Sequence, residues 1–414
     1  MNGMLDPRVL LSLLVAGAAA VGAAADPAAP LAVRGDVVHT MAGPPIRDGV
    51  VLIANGTVKQ VGPAAEVAIP PGTRVLRGAV VTPGLIDAHT VVGLTGFLNQ
   101  EQDQDQLDDG EPVQPELRAV DSYNPRERLV EWVRGFGITT IHTGHAPGAL
   151  VSGQTMVVKT IGETVEQAAI VPAAMVAVTL GDAARPEDDA KSPGTRSKAV
   201  AMLRGELVKA GEYVRKRDLA DADKRPDRDL RKEVFAAVLA GKLPLLVTVN
   251  RATDIDAALR LAAEFKIRIV LDSAAEAYLA IDRIKAAGVP VILHPTMRRA
   301  GLGETENIGF ETAAKLRAAG IPLALQSGYE GYVPTTRVAL FAAAVAAANG
   351  LSTEEALATI TVDAARILGV ADRVGSLQPG RDADVAVFDG DPFEYTSHCT
   401  AVVIDGRVVS DEPR

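Results

Sequence analysis

The chain has 414 residues, 48% of them hydrophobic and 23% charged, with a formal net charge of −10 at pH 7. That composition excludes a disordered or low-complexity chain and leaves ample material for a large core. The acidic balance excludes the basic footprint of a nucleic-acid-binding protein. A single cysteine, Cys399, excludes both an intramolecular disulfide and a cysteine-built zinc cluster.

Residues 9–25 form an Ala-rich apolar run behind Arg8, and Ala23-Ala24-Ala25 precedes Asp26. The pattern reads as a secretory signal peptide over 1–25, which implies a periplasmic or secreted protein. The run is too short, and too rich in Ala and Gly, for a stable membrane span. Residues 31–80 then show short strands and tight turns. Asn55-Gly56 between two β-rich arms predicts a hairpin with a type I′ turn, and the turn accounts for the sequon Asn55-Gly56-Thr57 without glycosylation.

From Thr82 onward short apolar runs alternate with helical segments. Strands are expected over 80–89, 138–142, 174–180, 243–250, 267–272, 289–294 and 321–326. Gly288-Val289-Pro290 and Gly320-Ile321-Pro322 repeat one junction, in which Gly ends a helix and Pro opens the next strand. Continuous apolar strands separated by helices predict a parallel sheet buried on both faces. The fold class is therefore α/β: a (β/α)8 TIM-like barrel over 81–367, beside a small β-sandwich built from 31–80 and 368–414. Residues 186–233 carry both charge signs and read as solvated helices. Residues 99–116 hold seven acids and no Lys or Arg. They read as a solvated loop over the catalytic face, with a lid or cation site as the functional alternative; Leu107 spoils the match to a calcium loop. Trp132 reads as core, and Lys159 as an ordinary, partly exposed lysine.

Several motifs together carry a family resemblance. Asp48-Gly49 to Val61-Gly62, Thr82-Pro83-Gly84-Leu85-Ile86-Asp87-Ala88-His89, Gly137-Ile138-Thr139-Thr140, and Gly380-Arg381-Asp382-Ala383-Asp384 occur in order. Their order and spacing resemble those of imidazolonepropionase-like members of the amidohydrolase superfamily. The resemblance implies a metal-bound hydroxide that attacks a carbonyl. It also implies five metal ligands on four strand ends: two His on the first strand, one each on the fifth and sixth, and an Asp on the eighth. The first His matches His89. The other positions fall on Val91, on Asn250 or Thr248, near Asp272 or Ser273, and on Ser327. The family's ordinary two-metal site is thus expected to be largely replaced.

The remaining histidines suggest where a substitute site would form. His89, His142 and His294 each close a predicted strand, and His145 follows His142 by three residues. In this fold, strand C-termini form the active face. Two readings stay open. One zinc or similar divalent ion could sit among His89, His142, His145 and His294, with Asp87, Asp272 or Glu304 as general base. Alternatively each His is a hydrogen-bonded structural group and no metal binds. Arg298 and Arg299 could receive a substrate carboxylate. The functional expectation is a hydrolase of non-peptide or small amide C–N bonds with an atypical or degenerate metal site. The alternative is a catalytically inactive exported barrel that binds a small molecule or a protein partner. Oligomeric state is not encoded in any of these features.

Overall fold

The structure is a computed structural model that describes residues 30–414 apart from 99, 186–191, 220, 299 and 330–338. The expected signal peptide (1–25) and Arg299 lie outside the described residues. Four strands open the chain: β1 (Leu31–Val38), β2 (Ile46–Ala54), β3 (Thr57–Pro63) and β4 (Arg74–Pro83). Asn55 and Gly56 both take positive φ, 52° and 74°, and close the β2–β3 hairpin as the Asn-Gly pair predicts.

The expected strand over 80–89 divides at Gly84. Beyond it come β5 (Leu85–Thr90), β6 (Ile138–Thr143), β7 (Val151–Gln154), β8 (Met156–Lys159), β9 (Ala169–Val171), β10 (Val176–Thr179), β11 (Leu245–Val249), β12 (Ile269–Ser273), β13 (Val291–Leu293) and β14 (Leu323–Leu325). Strands β10 to β14 are consecutive parallel neighbours, and β5 is parallel to β6. Every residue of β11 to β14 is buried, as expected of strands covered on both faces. Helices cover the outside. The longest, Arg196–Arg217, buries Ala199, Leu203, Leu207, Ala210 and Tyr213, a stripe at helical spacing.

The fold is TIM-barrel-like α/β, with two departures from an all-parallel cylinder. The run 151–159 breaks at Thr155; β8 lies antiparallel to β6, and β7 antiparallel to β10. The barrel strands also form separate hydrogen-bonded sheets, β5-β6-β8-β9 and β14-β13-β12-β11-β10-β7, rather than one closed ring. At the remaining junction β5 meets the segment after β14 through one bridge, Thr90 to Gly328, with Gly328 N donating to His89 O at 3.2 Å.

The chain ends in β15 (Val385–Phe388), β16 (Cys399–Ile404) and β17 (Arg407–Ser410). These join the first four strands in one seven-stranded sheet, ordered β17-β16-β15-β4-β1-β2-β3. The terminal segments pair with each other in one mixed hydrogen-bonded sheet. Lys159 is a correction. It is 3% exposed, and its Nζ reaches Asp382 at 2.8 Å, Asp384 at 3.0 Å and Asp405. It pins barrel strand β8 to the terminal sheet through the Gly380–Asp384 motif, because a buried ammonium needs carboxylate partners.

Candidate active site

The C-terminal ends of β10, β11, β13 and β14 open on a cavity of about 410 Å³. Thr248, Asn250, Arg298, Glu304 and Tyr329 line it with polar groups. A larger cavity, about 480 Å³, lies at the seam between the barrel and the terminal sheet, among Phe136, Phe341, Phe388 and Tyr395. It is away from the strand ends that bear the histidines, so the polar cavity is the candidate site.

Behind that cavity lies a buried network centred on Asp272, which is fully inaccessible. Its Oδ1 is 2.9 Å from His89 Nδ1 and accepts from Gln326 Nε2 at 2.8 Å; its Oδ2 accepts from Thr248 Oγ1 at 2.7 Å. Burial alone would raise the Asp272 pKa, but His89 and the hydroxyl and amide donors together hold it below the usual carboxylate value. His89 Nε2 is buried without a partner. The Tyr329 ring lies 5.5 Å from the His89 ring, and its hydroxyl faces the side chains of Ser273 and Arg298. Burial raises the Tyr329 pKa.

The four histidines differ in what holds them. The His142 ring lies 5.6 Å from that of His89, tilted by 34°, but both of its nitrogens are committed: Nδ1 to Ala88 O at 2.7 Å and Nε2 to Thr155 Oγ1 at 2.6 Å. Burial drives its pKa down to about 3, so the ring is neutral. His145 packs against Gly153 beneath the 99–116 loop, facing Asp108, and burial lowers its pKa to about 4. His294 Nδ1 lies 3.0 Å from Pro295 O, leaving Nε2 free; burial lowers its pKa to about 4. The structure thus brings His89 and His142 together, but it assembles no four-imidazole cluster. Among the described residues no three of His, Cys, Asp and Glu group closely enough to hold a metal ion.

The carboxylate candidates also separate. Asp87 accepts from Ser327 N at 2.9 Å and from Ser327 Oγ, and burial raises its pKa to about 6. Glu304 lines the cavity but is tied to Asp182 N at 2.7 Å and to Arg196 at 3.5 Å; burial raises its pKa. Gln326 and Tyr329 escaped the sequence reading. Gln326 carried a usable signal, a polar residue closing the apolar run 321–326.

The Amidohydrolase family profile matches residues 94–410. The chain belongs to the amidohydrolase family. It is 28% identical over 395 residues to an imidazolonepropionase from Stenotrophomonas maltophilia, covering 89% of this chain and 92% of that protein. A solved amidohydrolase from Thermotoga maritima superposes with a TM-score of 0.87 at 29% identity, over 92% of this chain and all of the other. A zinc-bound adenosine deaminase from Xanthomonas campestris shares the fold, with a TM-score of 0.54 at 18% identity over 93% of both chains.

The donors at this amidohydrolase's strand ends do not fit the metal that the resemblance implies. Val91 is apolar and 1% exposed. Asn250 Oδ1 accepts from Ser273 Oγ at 2.8 Å, and Ser327 donates to Asp87. Thus Asn250, Ser273 and Ser327, on or near which the family's ligands were expected to fall, are spent on hydrogen bonds within the protein. Asp272, at the expected sixth-strand position, is fully engaged by His89, Thr248 and Gln326.

Proposed function

We propose that this amidohydrolase hydrolyses C–N bonds in small, non-peptide amides, using an atypical site at the C-terminal mouth of its barrel. One observation carries the reading. The polar cavity of about 410 Å³ shares Thr248 and Tyr329 with the buried surroundings of His89 and Asp272. A substrate in the cavity would meet neutral hydrogen-bonding groups from Thr248, Asn250 and Tyr329, one cation, Arg298, and the carboxylates of Asp182 and Glu304, while His89 and Asp272 lie directly behind. The amidohydrolase and imidazolonepropionase names of its relatives support the same bond class. The small cavity supports a small-molecule substrate. The signal-like segment at 1–25 supports export to the periplasm or beyond. No helix among the described residues is long and apolar enough to cross a membrane.

The second reading is a barrel that binds a small molecule or a protein partner without turnover. It is favoured by one observation: no three metal-capable side chains converge among the described residues. One experiment separates the two. The full chain is incubated with a panel of formamides, lactams, hydantoins and imidazolones, and released amine and carboxylate are followed by mass spectrometry. The hydrolase reading expects turnover that falls in an Asn250→Leu variant. Binding of a panel member without product formation supports the second reading and defeats the first.

A further inference from the structure

We propose that His89 and Asp272 form a metal-independent base dyad, in which Asp272 fixes the imidazole tautomer and His89 Nε2 accepts a proton from the hydrolytic water. The inference rests on the hydrolase reading and supplies the reaction centre that the replaced metal ligands leave open.

The tautomer follows from counting donors. Asp272 is fully buried, and both its oxygens already accept from Thr248 Oγ1 and Gln326 Nε2. The Gln326 amide nitrogen is placed by a second acceptor, Ile292 O at 3.2 Å, so its orientation is not arbitrary. An ionised carboxylate has no proton to give. The remaining contact, 2.9 Å to His89, therefore requires Nδ1 to donate. A neutral His89 then carries its lone pair on Nε2.

That Nε2 atom is buried and has no partner in the protein. An orphaned acceptor of this kind calls for an explanation, and a hydrolytic water is the chemistry that fits. The His89 ring sits one residue behind the cavity wall, against Tyr329. Asp272 is likewise anchored by a wall residue, Thr248. The backbone immediately after Asp272 is unusual: Ser273 and Ala274 take φ of 67° and 51°, which non-glycine residues rarely adopt. Such strain persists where the surroundings over-determine it, commonly at reaction sites. Here it fixes the strand end that presents Asp272.

The step balances without a metal. As the water oxygen bonds to the carbonyl carbon, one water proton passes to His89 Nε2. As the C–N bond breaks, that proton passes to the departing nitrogen. The products are a carboxylic acid and an amine. Asp272 is a positioning residue throughout; it holds the ring and stabilises the transient imidazolium.

The test is imidazole ¹⁵N NMR on the full chain at pH 8, with His89 assigned by a His89→Gln variant. The dyad predicts a protonated Nδ1, a bare Nε2, and no change on addition of zinc. Asp272→Asn should convert His89 to the Nε2–H form, because the new amide can donate. In the same preparations, His89→Ala should lose roughly 100-fold or more of the turnover found in the substrate panel, and added imidazole should restore part of it with chelator present. A native Nε2–H tautomer, or a zinc-dependent shift of the His89 resonances, overturns the dyad while leaving any observed hydrolysis standing. An Nδ1–H tautomer with no turnover across the panel overturns the hydrolase reading and the base role with it. Turnover that His89→Ala does not reduce reassigns the pair to a structural role.

Discussion

His89 Nδ1 lies 2.9 Å from Asp272 Oδ1, and the two side chains are 1% and 0% exposed. Neither side chain is open to bulk solvent, so each depends on the other. Removing one leaves a buried polar or charged group uncompensated. Asp272→Ala is expected to cost about 3–5 kcal/mol, measured by urea unfolding. The His89→Ala, Asp272→Ala double variant should lose less than the sum of the single losses. Additive losses would show that the contact contributes nothing.

Lys159 offers a second test, away from the cavity. Its single charge is shared among Asp382, Asp384 and Asp405 where the barrel meets the terminal sheet, with Arg373 as a second partner of Asp382. Burial already raises Asp384 to about 6. Lys159→Met leaves three carboxylates repelling one another, and a loss of about 3–5 kcal/mol is expected. The loss should shrink as pH falls from 7 to 5 and Asp384 protonates. A loss independent of pH would contradict the ion-pair account.

The histidines predict acid lability. Burial holds His142 at about 3 and His145 and His294 at about 4, below the ordinary value of 6.5. Below 6.5 the unfolded chain binds protons that the folded chain refuses, so stability falls from there toward pH 4 and lower. Asp87, raised to about 6 by burial, acts in the opposite sense: the folded chain binds its proton first, so its contribution to stability fades as pH rises from about 4 to about 6. Three histidines outweigh the buried acids, so the unfolding midpoint should drop steadily below pH 6.5. His142→Gln should flatten that slope although it weakens the protein at pH 8. An unchanged slope would contradict the assignment.

Gly84 marks the split between β4 and β5, and a Cβ there would collide with Thr139. Gly84→Ala is expected to destabilise by ~1–3 kcal/mol, with a Thr139→Ser background relieving part of the cost. Thermal unfolding of the two variants checks it.

Much of this architecture was legible in the sequence, for identifiable reasons. Asn55-Gly56 demanded its turn, and apolar runs such as 289–294 demanded strands buried on both faces. The resemblance around Gly84–His89 located the first barrel strand. The antiparallel run 151–159 was not legible, because strand direction leaves no mark on hydrophobic periodicity. Nor was the Lys159 clamp, whose partners Asp382, Asp384 and Asp405 lie more than 200 residues away. At the site, His89 and Asp272 were each picked out, but His89 as a metal ligand and Asp272 as a general base or a further ligand. Their pairing depends on β5 and β12 facing one another across the barrel, which no local pattern reports. Nor could local pattern report the partners of His142, which lies beside His89 with both nitrogens held by the Ala88 carbonyl and the Thr155 hydroxyl.

The most direct test of the account is the rate of small-amide hydrolysis by untagged protein, measured with and without a strong chelator. A site run by His89 and Asp272 predicts the same rate in both, and its loss in Asp272→Ala. Activity that disappears with the chelator and returns with one equivalent of zinc would contradict it.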